Sequence, residues 1–143
     1  MAGKGREMAG TNAVLGGGGF HHVALKVKDF DGAVRFYKAL GFAETISWGE
    51  GNGRAVMLDT GDGNCLEIFA GGGAEAKPEG ALLHFALRTS NCDAALAAAR
   101  AAGAHVTMEP KSVEIPSLPA KTPVRIAFCK GPGGEVIEFF QNF

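Results

Sequence analysis

The feature that most limits how this chain can fold is an internal repeat. His22 and His84 stand 62 residues apart, as do Asp31 and Asp93, and Gly41 and Gly103. In the same register Ala24, Leu25 and Lys26 match Ala86, Leu87 and Arg88. Further on, LEIF at residues 66–69 matches IEFF at residues 137–140, now with an offset of 71. The offset grows by nine residues, and the Pro-rich stretch EPKSVEIPSLPAKTP at residues 109–123 takes them up as a loop. One duplication with one insertion accounts for both registers. Each half is about 50–60 residues, a size at which a lone core is marginal, so the halves are expected to pack together.

Each half reads as β-α-β-β-β. Residues 21–27 (HHVALKV) alternate, with Val23, Leu25 and Val27 on one side and His22, Ala24 and Lys26 on the other. Asp29 or Asp31 then caps a helix through residue 40, and Gly41 stops it. Strands are expected at 42–48, 55–59 and 64–70. The run GGGAEAKPEG at residues 71–80 reads as a linker. The second half repeats the order: a strand at 82–88, a helix opened by Ser90 with Asp93 and stopped by Gly103, then strands at 104–108, 124–129 and 135–141. GPGG at residues 131–134 precedes no helix, so it reads as a hairpin turn rather than a phosphate loop. Residues 1–19 read as a flexible leader outside the fold, leaving a single domain, 20–143, made of modules 20–70 and 82–143.

The chain has 143 residues, 46% of them hydrophobic, and a formal net charge of -1. Such a chain buries a core, and its near-neutrality gives no reason to expect nucleic acid or an anionic membrane as partner. No stretch approaches the roughly 18 apolar residues of a membrane span, and the N-terminal segment lacks the apolar region of a secretory signal. Cys65, Cys92 and Cys129 form no CxxC pair and cannot all pair with one another. A soluble cytoplasmic protein with reduced thiols is the expectation.

Four residues carry the candidate chemistry: His22, Glu67, His84 and Glu138. Each lies on the polar-bearing side of an alternating strand, Glu67 with Cys65 and Phe69, Glu138 with Val136 and Phe140. The opposite sides, Val23/Leu25/Val27 and Leu83/Phe85/Leu87, are apolar and are expected to pack on the helices. Taken singly, a strand histidine or glutamate is more often a solvent-facing residue than a ligand. The recurrence of both types at repeat-related points shifts the balance. Carboxylates among apolar neighbours need a partner, and two imidazoles with two carboxylates suit one divalent ion: zinc, nickel, cobalt, manganese or iron. Ligand distances would be about 2.0–2.2 Å. His21 is assigned to the edge of the helix-facing layer, His105 to the surface, and Cys65 is the one thiol on Glu67's side. Lys26 and Arg88, repeat-related and on the polar side, are candidate contacts for an anionic substrate.

FHHVALKVKDFDGAVRFYKALGF, LLHFAL and GPGGEVIEFF together resemble the vicinal-oxygen-chelate superfamily over residues 20–143. That superfamily includes glyoxalase I, epimerases, extradiol dioxygenases and bleomycin-binding proteins. The resemblance implies an α+β glyoxalase-like fold, with two βαβββ modules forming a cupped mixed sheet around a metal site. It places the metal on His22, Glu67, His84 and Glu138, a set most similar to that of bacterial-type glyoxalase I. It implies a lyase or isomerase, in its specific form a lactoylglutathione lyase. There the metal polarises two neighbouring substrate oxygens and stabilises an enediolate. Glu138 acts as general base, with Glu67 as a second. The alternatives it leaves are an epimerase, a dioxygenase, or a non-catalytic small-molecule binding or resistance protein. The position of the family's glutathione-contacting Asn is Gly71 here, and that of its first-strand Arg is Lys26. A homodimer is the expected assembly. Whether the modules pair within one chain or are exchanged between two is left open.

Overall fold

The structure is a computed structural model that describes residues 11, 13–14, 20–73, 83–117 and 119–143. Most of the expected leader, and residues 74–80 of the expected linker, lie outside the described residues.

The first module opens with β1 (His22–Lys26), alternately exposed and half-buried as its sequence dictates. Asp29 caps α1 (Phe30–Ala39): its carboxylate accepts from the Gly32 backbone N–H at 3.0 Å. Gly41 turns the chain out of the helix at φ 91, a conformation that favours glycine. Strands β2 (Ala43–Trp48), β3 (Ala55–Asp59) and β4 (Cys65–Phe69) follow, and the sheet order is β1-β4-β3-β2 with β1 parallel to β4. The second module repeats this with β5 (Phe85–Arg88), α2 (Cys92–Ala101), β6 (His105–Ile115), β7 (Thr122–Lys130) and β8 (Val136–Asn142), in the order β5-β8-β7-β6. The two sequence offsets reappear as one register: Ala24 pairs with Glu67 as Ala86 pairs with Glu138. The α+β fold of paired βαβββ modules is thus as expected from the sequence.

Three local expectations are corrected. The cap of α2 is Asn91, which accepts from the Ala94 N–H at 3.0 Å, rather than Ser90. Asn one residue later makes the same bond and leaves Ser90 in the preceding bend. The inserted segment is mostly a β-hairpin extension, because Val113 and Ile115 continue the alternation and pair with Val124 and Thr122. Pro110, which cannot donate to a ladder, sits where the register shifts between Met108 and Lys111. Leu83 lies just before β5 and is 62% exposed, rather than packed under a helix.

One core serves both modules. Tyr37, Leu58, Leu66 and Ile68 from the first join Leu96, Cys129, Ile137 and Phe139 from the second, and α1 meets α2. The β7–β8 hairpin is keyed into the first module. Tyr37 donates its phenol hydrogen to Glu135, which also accepts from the Gly133 N–H at 2.8 Å. A Cβ at Gly133 would fall 2.7 Å from Val27 Cγ1, so only glycine lets the hairpin approach β1's end. Burial and the neighbouring Glu135 carboxylate push the Tyr37 phenol far above its ordinary ionisation range.

The helices cover their sheets unequally. Helix α2 lies on β6, β7 and β8, whereas α1 packs chiefly on β4 and α2. Every residue of β2 is exposed as a result.

Two imidazole–carboxylate pairs form the candidate site

On the face of the first sheet turned away from α1, β1 and β4 bring His22 to Glu67, with Nε2 3.3 Å from Oε1. On the corresponding face of the second sheet, the residue before β5 and strand β8 bring His84 to Glu138 at 3.1 Å. The parallel pairing of the first and last strands of each module creates these contacts. Both carboxylates are buried, each 8% exposed, while the imidazoles reach the surface. Glu67 lies between Ala24 and Met57, and Glu138 between Ala86 and Phe128, so the strands flanking them are apolar. Among the described residues no other side chain or backbone group hydrogen-bonds either carboxylate. A buried carboxylate with one partner is held at an energetic cost that an added cation would offset. Two donors about 2.1 Å from one ion, at right angles, stand about 3 Å apart. The observed separations suit that arrangement and suit an ion pair equally.

The sequence-predicted set is therefore brought together in halves. Within one chain His22 meets Glu67 and His84 meets Glu138, but no group of three or more His, Cys, Asp or Glu side chains able to hold a metal occurs among the described residues. The described residues of one chain thus bring together no more than two of the four expected ligands at either place. One chain supplies two half-sets on separate sheets.

The remaining candidates fall as follows. Lys26 is exposed beside Phe69 in the register and makes no described ion pair. Arg88 instead approaches Asp62 of the β3–β4 turn at 3.8 Å, a loose, exposed link between modules. Backbone and side-chain hydrogen bonds from Asn64 hold the Asp62 carboxyl below its usual range. His21 is exposed and touches His22, Nδ1 to Nδ1 at 3.0 Å, rather than joining the helix-facing layer. His105 is exposed, as expected. Cys65 pairs with His22 in the register; burial raises its thiol above the usual range, so it is the less ready to ligate or react.

Sequence motifs do not mark the aromatic lining. Trp48 sits on the same side as Glu67, its ring edge-on to Phe69 at 6.3 Å. Phe128 packs edge-on to His84 at 5.4 Å. The signal that finds both is strand register, which places Trp48 opposite Ala55 and Phe128 opposite Glu138.

An open groove of about 710 Å³ lies elsewhere, between α1 and strands β2 and β3. Glu67 is not in its lining, and its charges are largely paired: Arg54 with Asp31 at 3.2 Å, Lys38 with Glu44 at 3.1 Å, and Arg54 over the Phe30 ring at 4.7 Å. Trp48, at the end of β2, borders this groove as well as Phe69, while the buried carboxylates lie outside it.

Comparison with known proteins gives the context. Residues 19–139 match the family described as the Glyoxalase/Bleomycin resistance protein/Dioxygenase superfamily. No curated protein matches the sequence. Among solved structures the chain is similar to TnmS3, an antibiotic binding protein from Streptomyces sp. CB03234, with 25% identity and a TM-score of 0.64, covering 88% of this chain and 97% of that one. It is similar in fold to a glyoxalase/bleomycin resistance protein/dioxygenase from Alicyclobacillus acidocaldarius, with 18% identity, a TM-score of 0.64 and coverage of 87% and 92%. The same holds for a glyoxalase I mutant from Zea mays, with 20% identity, a TM-score of 0.67, 86% of this chain and 44% of that one.

Proposed function

Because the chain belongs to the Glyoxalase/Bleomycin resistance protein/Dioxygenase superfamily, we propose that it is a metal-dependent lyase or isomerase of the glyoxalase I type, in its specific form a lactoylglutathione lyase. The observation that carries this reading is the doubled pair: His22 with Glu67 and His84 with Glu138, each carboxylate buried and facing one imidazole. Two half-sets call for a second copy. In a homodimer, module 20–70 of one chain faces module 82–143 of the other. His22 and Glu67 of one then join His84 and Glu138 of the other around one divalent ion: zinc, nickel, cobalt, manganese or iron. Such an ion supplies Lewis acidity toward two neighbouring substrate oxygens.

The chain's own residues do the rest. Glu138 takes a proton from the substrate carbon and returns it to the adjacent one, and Glu67 is its counterpart on the opposite wall. Before metal binds, each imidazole Nε2 faces its carboxylate across the parallel strand pair, so each half-set is already gathered at one point. Lys26, which has no ion pair among the described residues, offers its positive charge to an anionic group, whereas Arg88 does so only after leaving Asp62. The test is metal content together with turnover of the methylglyoxal–glutathione hemithioacetal by protein loaded with nickel, zinc or cobalt. We expect one ion per chain and formation of a thioester. Bound metal without turnover by any of these loaded forms would contradict the activity.

A second reading, small-molecule binding without turnover, is favoured by one specific observation. Aromatic side chains line both half-sites, and the similar TnmS3 is an antibiotic binding protein.

A further inference from the structure

We infer that the groove between α1 and strands β2 and β3 binds a monoanionic organic acid with an apolar tail, its carboxylate held by Arg35. This is independent of the metal-dependent reading, because the groove and the imidazole–carboxylate pair lie on opposite faces of the first sheet. Glu44 stands opposite Leu58, and Ser47 stands opposite Val56, whose next partner is Ile68 of the core. Glu44 and Ser47 therefore rise on the side that α1 covers, and both line the groove. Ile46 stands opposite Met57, and Met57 opposite Glu67, on the other side.

Charge selects the head group. Arg35, Lys38 and Arg54 line the groove with Asp31 and Glu44. Arg54 is already committed. Its Nη1 reaches Asp31 at 3.2 Å, its Nε donates to the Gly51 carbonyl at 3.0 Å, and its guanidinium lies over the Phe30 ring. Lys38 is committed to Glu44. Asp31, four residues before Arg35 on the helix, is placed to pair with it, but Arg54 takes that carboxylate. Arg35 is left exposed, with no ion pair or hydrogen bond among the described residues. A guanidinium offers a carboxylate two parallel N–H donors. The flanking Asp31 and Glu44 repel a second negative charge, so a monoanion fits better than a diacid.

The rest of the groove suits a tail. Phe30 and Val34, half-buried on one helix face, and Trp48 at the end of β2 give it apolar walls. Its volume of about 710 Å³ is in the range of small-molecule sites. The turn after β2 leaves it open. At Gly49, on the groove's rim, φ is +84 and a Cβ would fall 2.0 Å from the Gly53 carbonyl oxygen, so no side chain can close the mouth from there.

The experiment titrates the full chain with octanoate, octanol and octylammonium, three probes that share one alkyl chain and differ in head group. Binding is followed by calorimetry and by the emission of Trp48, the chain's one tryptophan. We expect octanoate to bind saturably, to perturb the emission, and to bind about tenfold more tightly than octanol, as a charge-assisted hydrogen bond requires, with octylammonium weakest. Arg35→Gln should weaken octanoate about tenfold, to the level of octanol, and leave octanol within about twofold of the parent. Val34→Glu should weaken both. Lys26→Gln, on the opposite face of the sheet, should leave octanoate binding unchanged. No saturable binding of octanoate, equal affinity for octylammonium, undiminished octanoate binding by Arg35→Gln, or a loss in Lys26→Gln in its place would overturn the inference.

Discussion

The two modules share an order of elements and differ in what they expose. In the second, α2 spreads over three strands and β6 continues into a long hairpin. In the first, α1 leaves β2 exposed along its whole length, with a groove beside it. The imidazole–carboxylate pair is nonetheless the same in both, on the same parallel strand pair and within 0.2 Å of the same separation, at 3.3 and 3.1 Å. Here helix cover and hairpin length diverged, while a costly arrangement of two buried carboxylates persisted in both halves.

The sharpest way to break that symmetry is chemical. If Glu138 is the base, Glu138→Gln should lower hemithioacetal turnover by about 10²–10⁴-fold while metal is retained, and Glu67→Gln should lower it less. Equal losses would make the two walls functionally equivalent. The unequal helix cover predicts the next effect. Leu96→Ala, in the covered helix, should cost about 2–5 kcal/mol in denaturant unfolding. Val34→Ala, half-buried beside the groove, should cost less than about 1.5 kcal/mol. Comparable losses would mean the groove is filled in solution.

The contact between modules gives a pH-dependent test. The fold holds Tyr37 neutral and raises the pH at which it ionises, so its stabilising contribution is complete below pH 10.0, the unfolded value. It is lost progressively as alkali ionises the phenol in the unfolded chain. Tyr37→Phe should flatten the fall in stability above pH 10.0, at the expense of about 1–2 kcal/mol at neutral pH. The smallest effects separate the caps. Asn91→Ala should cost about 1 kcal/mol and Ser90→Ala less than about 0.5.

Much of this was legible in the sequence because a duplication doubles every signal. The offset of 62 located both helices, and alternation located the strands and assigned Glu67 and Glu138 to one face. What escaped depended on contacts distant in sequence. Residues 109–123 look like a Pro-rich loop until β7 supplies partners for Val113 and Ile115. Trp48 looks like a surface residue until the register places it two strands from Phe69. Asn91 and Ser90 are equally good caps on paper, and only the direction of the entering chain decides between them. The family match bears out the superfamily resemblance. The packing of α1 on α2 and the keying of Gly133 against Val27 put both modules into one core, as the small size of each half led us to expect.

The most direct test of a site shared between two chains mixes two crippled proteins. One carries His22→Ala and Glu67→Ala, the other His84→Ala and Glu138→Ala; neither alone should hold metal tightly. On co-refolding, random pairing makes half the dimers mixed, and each mixed dimer rebuilds one complete site from its two intact modules. Metal binding should return to about a quarter of the parent value. No recovery from a mixture shown to contain mixed dimers would contradict the account.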